Sequence, residues 1–199
     1  CGDLLVQEGV EECDDGNAED TDMCLNSCTT AKCGDGAVQA GVEECDDKNM
    51  NEADGCTSGC KVPKTCKEVL AMAPKASSGQ YIIDPDGAGG MPSFLVECDM
   101  TTAGGGWTLV ERSPFGAQTI GKALFNDLPI NEGDPSKAKY RLSKATMTVL
   151  RDLSTDLRID CRGEDYLLAA ASNLFNGQGG AAGCNNWTKV TYKEAQLKG

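Results

Sequence analysis

Hydrophobic residues are sparse and without period over roughly the first sixty positions, and become regular only after Cys66. From there the spacing predicts a short helix over Lys67 to Ala73, with Val69, Leu70 and Met72 on its inner side and Pro74 as its stop. Gln80 to Ile83 reads as a strand. Asp84-Pro85-Asp86-Gly87 reads as a turn, because Pro fixes one dihedral and Gly allows a positive one. Phe94 to Cys98 and Trp107 to Glu111 are two further strands, and Gly104-Gly105-Gly106 between them makes a tight or bulged connection. Ser143 to Leu153 predicts a second helix, N-capped by Ser143, with Met147, Leu150 and Leu153 facing inward. Leu157, Ile159 and Cys161 alternate as a strand; past Tyr166 the pattern fades, and Gly177-Gln178-Gly179-Gly180 reads as a loop.

The aperiodic first part has a different order, a repeat of 32 residues. Cys1, Cys13, Cys24 and Cys28 return as Cys33, Cys45, Cys56 and Cys60. Gly9-Val10-Glu11-Glu12-Cys13-Asp14-Asp15 returns as Gly41-Val42-Glu43-Glu44-Cys45-Asp46-Asp47, and Asn17 and Asp22 return as Asn49 and Asp54. Leu4, Leu5, Val6, Val10, Met23 and Leu25 are all that the first copy offers towards a core, and the second offers less. Stability must come from cross-links, each worth about 2–4 kcal/mol in a small unit. Four cysteines allow three pairings, and spacing does not choose among them. The boundaries expected are 1–32 for the first repeat, 33–64 for the second and 65–199 for a globular domain, joined through a short linker that Pro63 stiffens.

Charge marks the same boundary. The 199 residues carry a net charge of -13, and residues 1–65 hold 16 of the 31 acids but 4 of the 18 bases. Such acidity argues against nucleic acid, whose phosphates need Lys and Arg. No run approaches the roughly 18 apolar residues of a membrane helix. Twelve cysteines at recurring spacings read as a disulfide framework in an oxidising compartment, hence an extracellular or cell-surface protein. Residue 1 is Cys and not Met, as expected of a processed form or an excerpt.

The acidic crowding suggests calcium, which takes six to eight oxygen ligands. The candidate ligands are Asp14, Asp15, Asn17, Asp20 and Asp22 in the first repeat, and Asp46, Asp47, Asn49, Glu52 and Asp54 in the second. The competing reading is a solvated loop whose Asp and Asn make turns. Zinc on Cys-x-x-x-Cys is disfavoured, since the chain has no histidine. Catalysis finds no footing: there is no histidine to act as a base, no leftover thiol and no phosphate loop. Trp107, on an alternating strand, suits a core better than sugar stacking. Trp187, beside Asn185 and Asn186, is the better exposed contact, and Asn186-Trp187-Thr188 is a glycosylation sequon.

Two resemblances add to this. Cys-Gly-Asp, Glu-Glu-Cys-Asp-Asp, an Asn, an Asp and Cys-x-x-x-Cys resemble the myxobacterial-type cysteine-rich disulfide repeat, found in secreted and surface proteins. The first copy departs from it at Leu4 and Met23, and the second at Lys48, where that family favours Gly. Thr65-Cys66-Lys67-Glu68-Val69-Leu70, Ser78-Gly79-Gln80-Tyr81, Val96-Glu97-Cys98-Asp99-Met100-Thr101-Thr102 and Gly104-Gly105-Gly106-Trp107-Thr108-Leu109-Val110 resemble the N-terminal subdomain of bacterial fibrinogen-like domains over 65–112. Tyr140-Arg141-Leu142-Ser143 and its helix resemble the same family, and beyond about Cys161 the likeness fades. The resemblance implies that Cys66 pairs with Cys98 and that the first three strands form one sheet; Cys161 with Cys184 then follows by elimination. The fold class expected is small disulfide-rich repeats followed by an α+β fibrinogen-like domain. The function expected is non-catalytic, extracellular recognition or adhesion, lectin-like, with a glycan or surface protein as partner and no ligand-binding residue assigned. The alternatives are a purely structural spacer or the non-catalytic appendage of a larger secreted enzyme.

Overall fold

In both copies of the repeat the outer cysteines close around the inner pair. Cys1 bonds Cys28 and Cys13 bonds Cys24; Cys33 bonds Cys60 and Cys45 bonds Cys56. The nested pairing is therefore the one chosen from the three available. The computed structural model describes residues 1–52, 54–114, 126–161, 165–175 and 192–196. They gather into two units, Cys1–Thr108 and Leu109–Gly199.

Carboxylates do the work of a core inside each repeat. The two Asp14 oxygens accept the main-chain N–H groups of Asp3, Leu4 and Gly16 at 2.9–3.1 Å. Those of Asp46 accept from Gly34, Asp35, Gly36 and Lys48 at 2.7–3.1 Å. Desolvation pushes both carboxyls up, but the main-chain donors outweigh it and hold Asp14 down to about 2 and Asp46 below its ordinary value. The same geometry explains the departures at Leu4 and Lys48. Both positions have positive φ, 67° and 68°, and each long side chain lies over a glycine of its own repeat, Leu4 over Gly16 and Lys48 over Gly36. The large residue and the glycine have changed places between the copies.

After the repeats, α1 (Cys66–Met72) is N-capped by the Thr65 hydroxyl, which accepts the Glu68 N–H. The helix lies within a residue of its expected span, although Val69 is fully buried and Leu70 and Met72 are half-buried. β1 (Gly79–Ile83), β2 (Phe94–Asp99) and β3 (Trp107–Thr108) form one antiparallel sheet in that order. A disulfide ties Cys66 at the start of α1 to Cys98 in β2, as the resemblance implied. Its sulfurs join Val69, Ile83, Val96 and Met100 in the core. The expected turn at 84–87 is present, with the Gly87 N–H donating to Asp84 Oδ1 at 3.0 Å.

The expected strand from Trp107 to Glu111 is two strands in two sheets. Trp107 and Thr108 pair with Asp99 and Cys98. The chain then turns away at Leu109, because Val110 C=O accepts the Leu142 N–H and β4 (Glu111–Arg112) pairs with β5 (Tyr140–Arg141). Before it, Gly105 and Gly106 permit close backbone approach: a Cβ on Gly106 would lie 2.8 Å from Lys67 Cα, at a φ of +80°.

In the second unit α2 (Lys144–Asp152) is capped by Ser143 as expected, and Met147 and Leu150 are buried. Leu153 is 46% exposed, against expectation, because the helix stops at Asp152 and leaves it as C-cap. Tyr140, Leu142, Ala169, Ala171 and Leu174 are buried with the α2 residues. β6 (Asp156–Cys161), β7 (Asp165–Ala170) and β8 (Tyr192–Gln196) form an antiparallel sheet in chain order, with a register shift between Leu168 and Ala169. The expected Cys161–Cys184 bridge, Trp187, the sequon and the glycine loop at 177–180 lie outside what is described.

Two measurements test this account. Gly106→Ala is expected to destabilise the oxidised protein by roughly 2–4 kcal/mol, since it adds left-handed strain to overpacking against the backbone. Gly79→Ala, with nothing within 4 Å of its added Cβ, is the control and should melt as the parent does. For acid, the Asp14 value in the folded protein lies below the unfolded value of about 3.9. Its contribution is complete above that pH and is lost as pH falls through about 2. Hydrogen exchange should show the Leu4 and Gly16 amides losing protection across that window in the parent, and Asp14→Asn should remove the pH dependence.

Candidate functional site

The acidic segments divide into groups with different partners. Asp14 and Asp46 face the turn at the start of each repeat, their oxygens occupied by the main-chain donors described above. Asp15, Asn17 and Asp22 come together on the other side: Asp15 Oδ1 accepts the Asn17 N–H, Asp22 Oδ2 accepts the Asn17 amide at 2.8 Å, and Asp22 Oδ1 accepts the Cys24 N–H. The Asn17 amide and the Cys24 N–H hold the Asp22 carboxyl below its usual range. Asp54 receives the Asn49 and Asn51 amides in the second copy. Asp20 stands apart, accepting the Asn26 N–H at 2.7 Å, and Glu52 takes the corresponding place in the second repeat against Ser58.

A calcium ion needs oxygens that converge with their lone pairs free. Here N–H groups occupy most of them, above all at Asp14 and Asp46. Asp47 Oδ2 is different, being buried without a hydrogen-bond partner. Zinc fits no better. Cys33 and Cys60 lie close to Glu43, but their sulfurs are bonded to each other and offer no thiolate. The Trp107 indole is half-buried and donates to Thr102 C=O at 2.7 Å, which makes it a brace for the glycine turn.

Three features went unread in the sequence. Asp99 collects a turn: its Oδ1 accepts the N–H groups of Thr101 and Thr102 and the hydroxyl of Thr101. Desolvation opposes the charge, but the Thr102 and Thr101 donors prevail and hold its carboxyl far below the usual range. The signal was the Asp-x-Thr-Thr spelling, which suits such a turn. Arg141 is buried, with Nε 3.6 Å from Glu111 and a hydrogen bond to Asn126 C=O at 3.1 Å. Burial pushes the Glu111 carboxyl up, and Arg141 draws it only partly back. No periodicity announces a buried arginine.

The third is a surface. The pairings place Arg158, Leu168 and Glu194 side by side across β6, β7 and β8, and Asp160, Tyr166 and Gln196 next to them on the same face. The Arg158 guanidinium lies 4.2 Å from the Tyr166 ring centroid and bonds Asp160 at 2.7 Å, and the Tyr166 hydroxyl bonds Glu194. An aromatic ring is thus framed by a cation and two carboxylates on antiparallel strands. Among the described residues no helix is long and apolar enough to cross a membrane.

Comparison with known proteins places this geometry. Residues 25–61 match the model of a domain of unknown function, DUF4215, which spans the second repeat and the end of the first. Angiopoietin-related protein 7 of Bos taurus and of Homo sapiens are each 49% identical to this chain over 39 residues. That stretch is 20% of this chain and 11% of each relative, so only a small part of those proteins is represented. Residues 62–179, more than half of the chain, match the model of the fibrinogen beta and gamma chains, C-terminal globular domain. With α1 tied by a disulfide to a three-stranded sheet and a second α+β unit after it, this chain belongs to the fibrinogen C-terminal domain family.

Proposed function

We propose that the chain is an extracellular, non-catalytic recognition module, in which the fibrinogen-like domain binds a glycan or a surface protein and the acidic repeats hold it out as a stiff spacer. The observation that carries this reading is the face of β6, β7 and β8, where Tyr166 stands between Arg158 and Glu194. Aromatic rings beside hydrogen-bonding charges suit sugar rings and polar protein surfaces alike. Five disulfides among the described residues support the oxidising, extracellular setting.

A glycan array and a panel of cell-surface proteins, probed with the oxidised chain, test the proposal. Binding is expected, and Tyr166→Ala and Arg158→Ala should each weaken it by about tenfold, the scale of one lost aromatic or charged contact, with little change in melting. Folded protein that binds nothing on either panel would leave the repeats as a spacer and end the recognition reading.

Calcium is a separate question for the acidic segments. Because main-chain and amide donors already satisfy most of those oxygens, melting temperatures in millimolar calcium and in excess chelator are expected to agree within about a degree. A clear rise with calcium that Asp47→Asn abolishes would instead make the second repeat a calcium site.

A further inference from the structure

The segment between the second repeat and the first sheet is bonded from both sides. Towards the repeat, the Thr57 N–H donates to Lys61 C=O, the Lys61 N–H donates to the Thr57 hydroxyl, and the Val62 N–H donates to Glu44 Oε2 at 3.2 Å. Pro63 comes next. It has no N–H and can only accept, and its C=O takes the Asp84 N–H at 2.9 Å, from the turn that ends β1. Val62, Pro63, Asp84 and Pro85 are buried there. A Cβ on Gly55 of the repeat would lie 3.8 Å from Ile82 Cδ1 of β1. What reads as a linker in the sequence is a packed joint inside the first unit.

Asp84 is a costly residue for such a joint, since it is only 7% exposed. Its Oδ1 accepts the Gly87 N–H at 3.0 Å, and its carboxyl also hydrogen-bonds that of Asp86. Asp86 is exposed and accepts the Met91 N–H at 2.9 Å, so the pair has one buried and one solvated member. Two carboxyls bond each other only when one of them carries a proton. The other charges around the joint do not remove that need. Glu44 faces Asp84 from the repeat and is itself paired with Lys61 at 3.3 Å. Lys64 is exposed beside Gly87, and Glu68 of α1 accepts its main-chain N–H. Burial pushes the Asp84 carboxyl up, Asp86 and Glu44 add to this, and the Gly87 N–H opposes it.

We infer that the joint between the second repeat and the sheet is a proton-dependent lock, in which one proton shared by Asp84 and Asp86 holds the repeat against the sheet and its loss lets Pro63 and Asp84 part. The lock is a property of the joint alone and holds whatever the domain binds. Its sign follows from the burial. The closed joint takes up the proton more readily than the open one, so closure is complete below the ordinary carboxylate value of about 3.9 and weakens as pH rises through the raised value. The joint therefore tightens as pH falls from 7 to 4.

Hydrogen exchange at the Asp84 amide, corrected for intrinsic rate, reads the lock directly. Protection in the oxidised chain should rise at least about threefold from pH 7 to pH 4, while the Glu12 amide, bonded to Cys28 C=O in the first repeat, stays constant. Asp84→Asn keeps the shape and lets an amide donate to Asp86 as the proton does. It should show the acid-state protection at pH 7 and no pH dependence. Asp86→Asn, which donates to Asp84 from the solvated side, should likewise raise protection at pH 7. A parent chain whose Asp84 amide is equally protected at both pH values would overturn the inference, as would an Asp84→Asn chain that keeps the parent's pH dependence. Protection that rises at pH 7 on adding millimolar calcium and not on adding acid would overturn it too, because the two carboxylates would then share a cation.

Discussion

Covalent closure of short loops is the constraint on which the first unit rests. Each repeat has a bridge over 27 residues with a bridge over 11 inside it. The outer bridge removes most of the freedom of the unfolded segment, and the inner one acts on what remains. The burial pattern agrees. In the repeats Cys24, Cys28, Cys56 and Cys60 are buried while Leu4, Val10, Val42 and Met50 are exposed. Sulfur fills the centre that aliphatic side chains fill elsewhere.

Cross-links fix distances but do not satisfy main-chain polar groups, and buried or crowded amides need acceptors. Asp14 and Asp46 meet that need in the repeats, and Asp99 meets it at the glycine turn of the sheet. All three follow a cysteine directly, so the bridge positions the carboxylate and the carboxylate then gathers the loop. This gives the acidic residues after those cysteines a structural role. The exchanged places of Leu4 with Gly16 and of Gly36 with Lys48 make the same point about packing. A duplicated unit keeps its hydrogen-bonding scheme and lets the space beside it be filled from either side.

The repeat, the elements of the first sheet, the Ser143 cap of the second helix and the Cys66–Cys98 bridge were legible because local chemistry specifies them: a period, a turn residue, a capping hydroxyl, a family spelling. The pairing inside the repeats was not, because three closures share one spacing and the choice depends on three-dimensional approach. The division of Trp107 to Glu111 was hidden for a related reason. Its alternation suits either sheet, and the departure at Leu109 is set by Leu142, more than thirty residues later. Leu153 had the right period but fell one residue past the last helical turn. On the acidic segments, composition showed carboxylates without showing which way the N–H groups point, and that direction is what makes Asp14 and Asp46 clamps on their loops.

Electrostatics narrows what a recognition surface on this chain could face. The repeats hold nearly all of the net negative charge, and the remaining residues, with 15 acids and 14 bases, are close to neutral. At physiological salt, exposed charges fade over about 8 Å, so the repeats repel polyanions only close to themselves. Among the described residues, two cations on the face of β6, β7 and β8 are paired, Arg158 with Asp160 and Lys193 with Asp156, while Glu194 bonds the Tyr166 hydroxyl. A surface of paired charges around one aromatic ring gains little from a highly charged ligand, which would have to break those pairs. On the recognition reading proposed above, the ligand expected at this face is therefore one that accepts and donates hydrogen bonds without net charge, and not a sulfated or phosphorylated one.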